Sequence, residues 1–228
     1  MATPWSSAFP KTEAPPTGTP AWYVRENSLA RNRWRARAIV SNAHRDADVV
    51  DGPIESDDAH ELWRTDVDPD GHSLISLNPA ALRNAPSLWF VVVPDLGATR
   101  PAMMLAGFAT DHVAPGTVLT NPEFFSLPVQ STDQVGAIRW WHLEGVVDQV
   151  FVAEQWRRRF LGTALIYAEN AYQVNNDCPS KLTSDGRRTE LGEQLAAATL
   201  FPDRFAPLET LSPPTDPSRS ESPPTELR

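Results

Sequence analysis

The chain has 228 residues, a formal net charge of −9 and a pI near 5.0, a balance that argues against a general electrostatic grip on nucleic acid. Apolar residues make up 41 %, enough for one sizeable core, yet no apolar run approaches the ~20 residues of a membrane span. A single cysteine, Cys178, excludes an internal disulfide and gives no zinc pattern. The opening residues show no basic region followed by an apolar stretch, which predicts no secretory signal and a reducing cytoplasmic setting.

Taken in chain order, residues 1–20 carry Pro4, Pro10, Pro15, Pro16 and Pro20 among Ser, Thr and Gly, and are expected to be a disordered tail. Residues 22–45 read as a helix rich in arginine (Arg25, Arg31, Arg33, Arg35, Arg37), with a solvated face or an acidic or RNA partner as its alternative uses. Residues 57–65 read as a short second helix. Between them and the next element, Asp66, Asp68, Asp70 and Gly71 imitate the start of a calcium loop. The twelfth position is Leu77, where a bidentate Glu is required, so an Asp-rich turn without metal is expected.

The run 88–94 is continuously β-branched and aromatic and predicts a buried strand, with 102–112 as the next one. Residues 113–135, punctuated by Pro115, Gly116, Pro122 and Pro128, read as a long loop. Residues 137–143 and 146–152 read as a hairpin turning through Glu144 and Gly145. From Arg158 to about Val174 the apolar positions Leu161, Leu165, Ala168, Ala171 and Tyr172 keep a helical rhythm. A short strand near Lys181, Leu182 and Thr183 and a helix over 189–200 follow. Residues 207–228 are Pro- and Ser-rich and are expected to be a second disordered tail. The expected organisation is tail 1–20, a helical or irregular part 21–84, a core 85–206 and tail 207–228.

The strand–loop–helix unit at 146–174 carries the chemistry. A helix N-terminus leaves backbone N–H groups unpaired and holds roughly +0.5 of a charge, which suits a diphosphate. Arg157, Arg158 and Arg159 stand at that start, and Gly162 lets the backbone approach a ligand closely. The run 150–159, followed by Phe160, Leu161, Gly162, Thr163 and Ala164, resembles the coenzyme-A loop of the GNAT N-acyltransferase superfamily. Arg157 matches the first position of that family's motif and Gly162 the last, whereas Phe160 stands where its first glycine is usual. Residues 182–192 are similar to a segment that joins the fifth strand of some of these proteins to their final helix.

The resemblance implies an α+β fold with a mixed, mainly antiparallel sheet flanked by helices. It also implies acetyl-coenzyme A as acyl donor, bound by Val150, Val152, Arg157, Arg158, Arg159, Phe160, Leu161, Gly162 and Thr163. A base must deprotonate the acceptor amine. Strict alternation puts Asp148 on one strand face with Val146, Val150 and Val152, and in the family that face points to the reaction cleft. Asp148 is thus the first candidate base, or else a salt-bridged edge residue. His142 is a second candidate, or a satisfied half-buried histidine; Glu144 is a third, or a turn residue. The expected function is acyl transfer from acetyl-coenzyme A to a small-molecule or protein amine, without metal, membrane or nucleic acid. The alternative is a catalytically inactive module of the same kind used in binding or assembly. The oligomeric state stays open, a homodimer included.

Overall fold

Arg33, Arg35 and Arg37 alternate with Trp34, Ala36 and Ala38, and a two-residue alternation belongs to a strand. The computed structural model describes residue 9 and residues 12–30, 33–54, 59–95, 100–178 and 181–212. In it, the arginine-rich helix expected over 22–45 is replaced by two antiparallel strands, β1 (Ala21–Ala30) and β2 (Arg33–Val40). Alternate β2 positions, Ala36, Ala38 and Val40, join the main core, while Arg35 and Arg37 turn the other way and pair with carboxylates of the next long strand. A three-residue strand, β3 (Val49–Asp51), lies parallel to β1.

The second expected helix, 57–65, is also a strand from residue 60 onward, residues 57 and 58 lying outside the described residues. This β4 (His60–Val67) is antiparallel to β2 and to β5 (Ser73–Leu77). Seven of its eight residues are buried, because both its faces are covered. On one, Glu61 accepts from Arg37 at 3.0 Å and from Arg64 at 2.5 Å. The segment before β1 also reaches β4: Thr12 Oγ1 lies 3.0 Å from His60 Nδ1, and the Phe9 ring sits under the Arg64 guanidinium.

The two expected strands of the middle region form as β6 (Trp89–Asp95) and β7 (Ala102–Phe108), paired antiparallel. The stretch expected as a long loop contains β8 (Thr117–Thr120), the single-turn helix α1 (Asn121–Phe124) and a 3-10 turn, Ser131–Asp133. The hairpin expected next forms as β9 (Gln134–Trp141) and β10 (Val146–Val152), with Gly145 at φ 65° in its turn. Then come α2 (Leu161–Asn175), β11 (Thr183–Ser184), β12 (Arg187–Arg188), α3 (Glu190–Ala197) and β13 (Thr210–Leu211). Thr189 caps α3, its hydroxyl accepting from the Gly192 N–H. Of the two tails expected to be disordered, residues 1–8, 10, 11 and 213–228 lie outside the described residues.

Eleven strands make one mixed sheet in the order β11-β10-β9-β7-β6-β8-β5-β4-β2-β1-β3. This overturns the expected fold of GNAT type, a sheet flanked by helices: residues 21–84 supply five strands and no helix among the described residues. The sheet wraps a helix instead. Helix α2 packs against β10, β9 and β7 and also against β5, β4 and β2. Strands β10 and β2 stand seven places apart in the sheet, about 34 Å if it were flat. A 15-residue helix is about 22 Å long and about 10–12 Å wide, so only a strongly curled sheet reaches it from both sides. Its inner face and α2 enclose the main core, with Trp63, Phe90, Leu105, Ile138, Trp140, Leu161 and Leu165 buried. Truncating Leu165 to Ala there costs about 2–5 kcal/mol.

Residues 199–205 secure the open side of the curl. Arg204, buried, donates to Asp46 Oδ1 at 2.6 Å, Asp46 Oδ2 at 3.1 Å, Tyr23 Oη at 3.0 Å and the Ala21 carbonyl at 3.3 Å. The Gly18 N–H bonds the Leu200 carbonyl at 2.8 Å. The last segment is thereby tied to the first strand.

Candidate functional site

The turn from β10 into α2 is built by two residues in left-handed backbone, Arg158 at φ 60° and Phe160 at φ 57°. Non-glycine residues in that region are strained by about 1 kcal/mol or more, and the helix begins only after them, at Leu161. The first bond of the ladder runs from the Ala164 N–H to the Phe160 carbonyl. Among the described residues, the backbone N–H groups of 158–163 meet no acceptor. Arg157, Arg158 and Arg159 are all exposed. Arg157 Nε donates to the Val152 carbonyl at 3.1 Å, and the Arg159 guanidinium lies 5.1 Å from the Trp156 ring. Phe160 is half exposed beside them. The turn thus gathers unpaired donors, three guanidinium groups and the positive end of a helix dipole at one surface.

Four of the expected ligand contacts face elsewhere. A Cβ at Gly162 would lie 3.2 Å from Leu195 Cδ2, so this glycine admits the side chain of α3. Val150 and Val152 turn inward and pack against the core around α2. Leu161 is buried and Thr163 half-buried.

The strict alternation expected along β10 is broken. Val147 pairs with Trp140 and Gln149 with Arg139, leaving Asp148 as an extra residue in a β-bulge. A bulge reverses parity. Val147 lies on the inner face before it and Val150 and Val152 after it, while Asp148 points outward and ion-pairs with Arg139. Arg139 also holds Asp95 at 3.1 Å. Glu144 sits in the β9–β10 turn, 3.3 Å from Arg100. His142 lies at the same end, its Nε2 3.8 Å from Cys178 Sγ and its Nδ1 buried with no partner among the described residues. Strand β10 separates this end from the arginine turn by about 20 Å. The structure therefore does not bring Asp148, His142 and Glu144 together at the arginine turn.

A second polar group, unforeseen in the sequence, lies inside the curl. Glu169 and Gln173 are adjacent on α2, fully buried, with Gln173 Nε2 donating to Glu169 Oε1 at 2.5 Å. Glu169 Oε2, Gln173 Oε1 and the Trp140 indole N–H meet no partner among the described residues. Burial holds the Glu169 carboxyl well above the usual carboxylate range, which favours its protonated form. Burial, followed by the nearby charge of Asp177, pushes the Cys178 thiol up to about 11, which leaves it little thiolate with which to act as a nucleophile. The signal that could have exposed this group is the breadth of the apolar surface on α2. Ala164, Leu165, Ile166, Ala168, Ala171 and Val174 spread round the helix beyond a single stripe, and a carboxylate inside such a helix has nowhere to reach water.

Asp66, Asp68, Asp70 and Gly71 do not form a calcium loop. Asp66 belongs to β4 and pairs with Arg35, and position 77 belongs to β5. Ligand atoms of Asp68, Asp70 and His72 lie within 4.8 Å of one another, but both nitrogens of His72 are engaged by carboxylates, as a hydrogen-bonded cluster requires. No helix among the described residues is long and apolar enough to cross a membrane. No protein-family model matches the chain, and neither a curated protein nor a solved structure matches it.

Proposed function

We propose that the chain binds a phosphate-bearing ligand of the acyl-coenzyme-A class at the β10–α2 turn. The observation that carries this reading is the run of backbone N–H groups over 158–163 that meet no acceptor among the described residues, at the head of a 15-residue helix. A diphosphate supplies several acceptor oxygens and negative charge where the turn supplies donors and positive charge. The exposed guanidinium groups of Arg157, Arg158 and Arg159 add charge-assisted contacts. The half-exposed Phe160 ring offers an apolar face to the remainder of the ligand.

This reading favours a binding module over a catalyst. Acyl transfer from a thioester to an amine needs a group that takes the amine proton as the nitrogen–carbon bond forms and the thiolate leaves. Asp148 is the carboxylate on the strand that leads to the turn, and this favours acyl transfer as the second reading. Its charge, however, is committed to Arg139 on the outer face.

Calorimetric titration of the purified chain with coenzyme A and with adenosine triphosphate tests the proposal. Both ligands should bind, and Arg158→Glu should weaken each by ~10-fold or more through the loss of one charge-assisted contact. Absence of heat at millimolar ligand, or binding unchanged in Arg158→Glu, removes the turn as the site. Turnover of acetyl-coenzyme A with a panel of amines, abolished by Asp148→Asn at unchanged affinity, would promote the second reading over the first.

A further inference from the structure

Between β8 and β9 the chain lies as a strap across the outer face of the sheet. That face carries its own apolar cluster of Trp89, Val91, Ala106, Phe108 and Leu119, and Phe124, Leu127 and Val129 of the strap cover it. The Phe124 ring lies 5.2 Å from Phe108 and 6.5 Å from Trp89. These contacts are non-directional, and one polar link ties the strap to the β4–β5 turn. His72 Nδ1 is 2.9 Å from Asp68 Oδ2 in that turn, and its Nε2 is 2.8 Å from Glu123 Oε1 on α1.

A neutral imidazole carries one N–H. It can donate to Asp68 or to Glu123, and its other nitrogen then turns a lone pair toward a carboxylate oxygen. Only the imidazolium donates to both. The second oxygen of Glu123 accepts from the Thr120 N–H and hydroxyl, each at 2.6 Å, so the carboxylate is fixed in place. The charges facing His72 are Asp68 and Asp70 on its own turn and Glu123 on α1. On the neighbouring strand β2, Arg33 donates to the Gly71 carbonyl and Arg35 is taken by Asp66. Three carboxylates thus surround one imidazole.

The geometry points to a proton-operated latch, in which the imidazolium of His72 clamps the 121–133 strap over Trp89 and Phe108 and loses its hold when the proton leaves. The hydrogen bond to Glu123, with Asp68 behind it, raises the His72 pKa above the ordinary 6.5 in spite of partial burial. Glu123 is held down at about 2, first by the Thr120 hydroxyl and then by His72, so it stays ionised wherever His72 titrates. The latch is therefore closed at and below about pH 6.5 and loosens as pH rises through the folded value of His72. A loosened strap uncovers an aromatic face of the sheet, which is the part of the molecule that proton loss makes available.

Hydrogen exchange of peptides spanning 121–133, measured on the full chain from about pH 5.5 to about pH 9 and corrected for intrinsic rates, tests the latch. Protection of this segment should fall ~10-fold across the His72 titration, which the imidazole proton resonances locate independently. His72→Gln, whose single amide nitrogen cannot gain a second, opposed donor at any pH, should show the low protection throughout. Glu123→Gln keeps the size of the side chain and serves if the first variant folds poorly; it should bring the His72 midpoint down and flatten the exchange profile. Protection that stays constant while wild-type His72 titrates, or a pH dependence that survives in both variants, overturns the latch.

Discussion

Glu169 offers a direct test of the curled sheet, because a carboxyl keeps its proton above the usual carboxylate range only if the sheet encloses it. Its side chain is fully buried on α2, one oxygen accepts from Gln173, and burial raises its pKa well above 4.5. Below about pH 4.5 the acid is protonated in both the folded and the unfolded chain, and stability is unaffected by its ionisation. Above that the unfolded chain releases the proton while the folded chain keeps it, so stability falls by about 1.4 kcal/mol for each unit of pH. The fall ends where the folded group ionises. Glu169→Gln has the shape of the neutral acid and no proton to lose. The difference in unfolding free energy, variant minus wild type, should therefore start near zero at about pH 4.5 and rise along that slope. Urea denaturation of both proteins at a series of pH values measures it, provided the two m-values agree. All other titrating groups occur in both proteins and cancel in the difference. A difference that is flat with pH would refute the burial of Glu169 and the wrapped helix with it.

Arg204→Ala should destabilise the fold by about 3–5 kcal/mol, because it strips Asp46 and Tyr23 of a buried cationic partner; thermal melting with an Arg204→Lys control measures the loss. Asp46 is also 3.6 Å from Lys181, which partly compensates and sets the expected result toward the lower end. The Cys178 thiol, pushed up to about 11, should alkylate slowly at pH 8, with the rate rising about 10-fold per unit of pH until well above pH 10. A rate already at its plateau at pH 8 would contradict the burial of that thiol.

The local elements of the second half of the chain were legible in the sequence. The β9–β10 hairpin, the body of α2 and the capped α3 each rest on signals carried by neighbouring residues, namely Gly145, a helical apolar rhythm and Thr189, whereas α2 starts three residues later than its rhythm suggests, after the left-handed Arg158 and Phe160. In the first half the arginines carry a strand period that a helix reading by composition misses. Arg33, Arg35 and Arg37 alternate, and the long-range register with β4 gives Arg35 and Arg37 the partners Asp66 and Glu61. The outward position of Asp148 is hidden from the sequence for a related reason. A bulge reverses strand parity, and nothing in residues 146–152 announces it. The arginine turn was legible as a cluster of donors at a helix start. The burial of Glu169, the packing of Gly162 against Leu195 and the His72 contact with Glu123 come from tertiary packing, which no short window contains.

If the unpaired N–H groups of the β10–α2 turn receive the phosphates of a ligand, those amides are the atoms to watch. Amide proton–nitrogen spectra of the labelled chain, recorded while coenzyme A is added, test it at the atoms concerned. The amides of 158–163 should move first and farthest, with saturation at one common dissociation constant, as donors that gain charged acceptors do. Shifts confined to other parts of the chain, or amides of 158–163 that stay in place at saturating ligand, would contradict the assignment of this turn as the binding site.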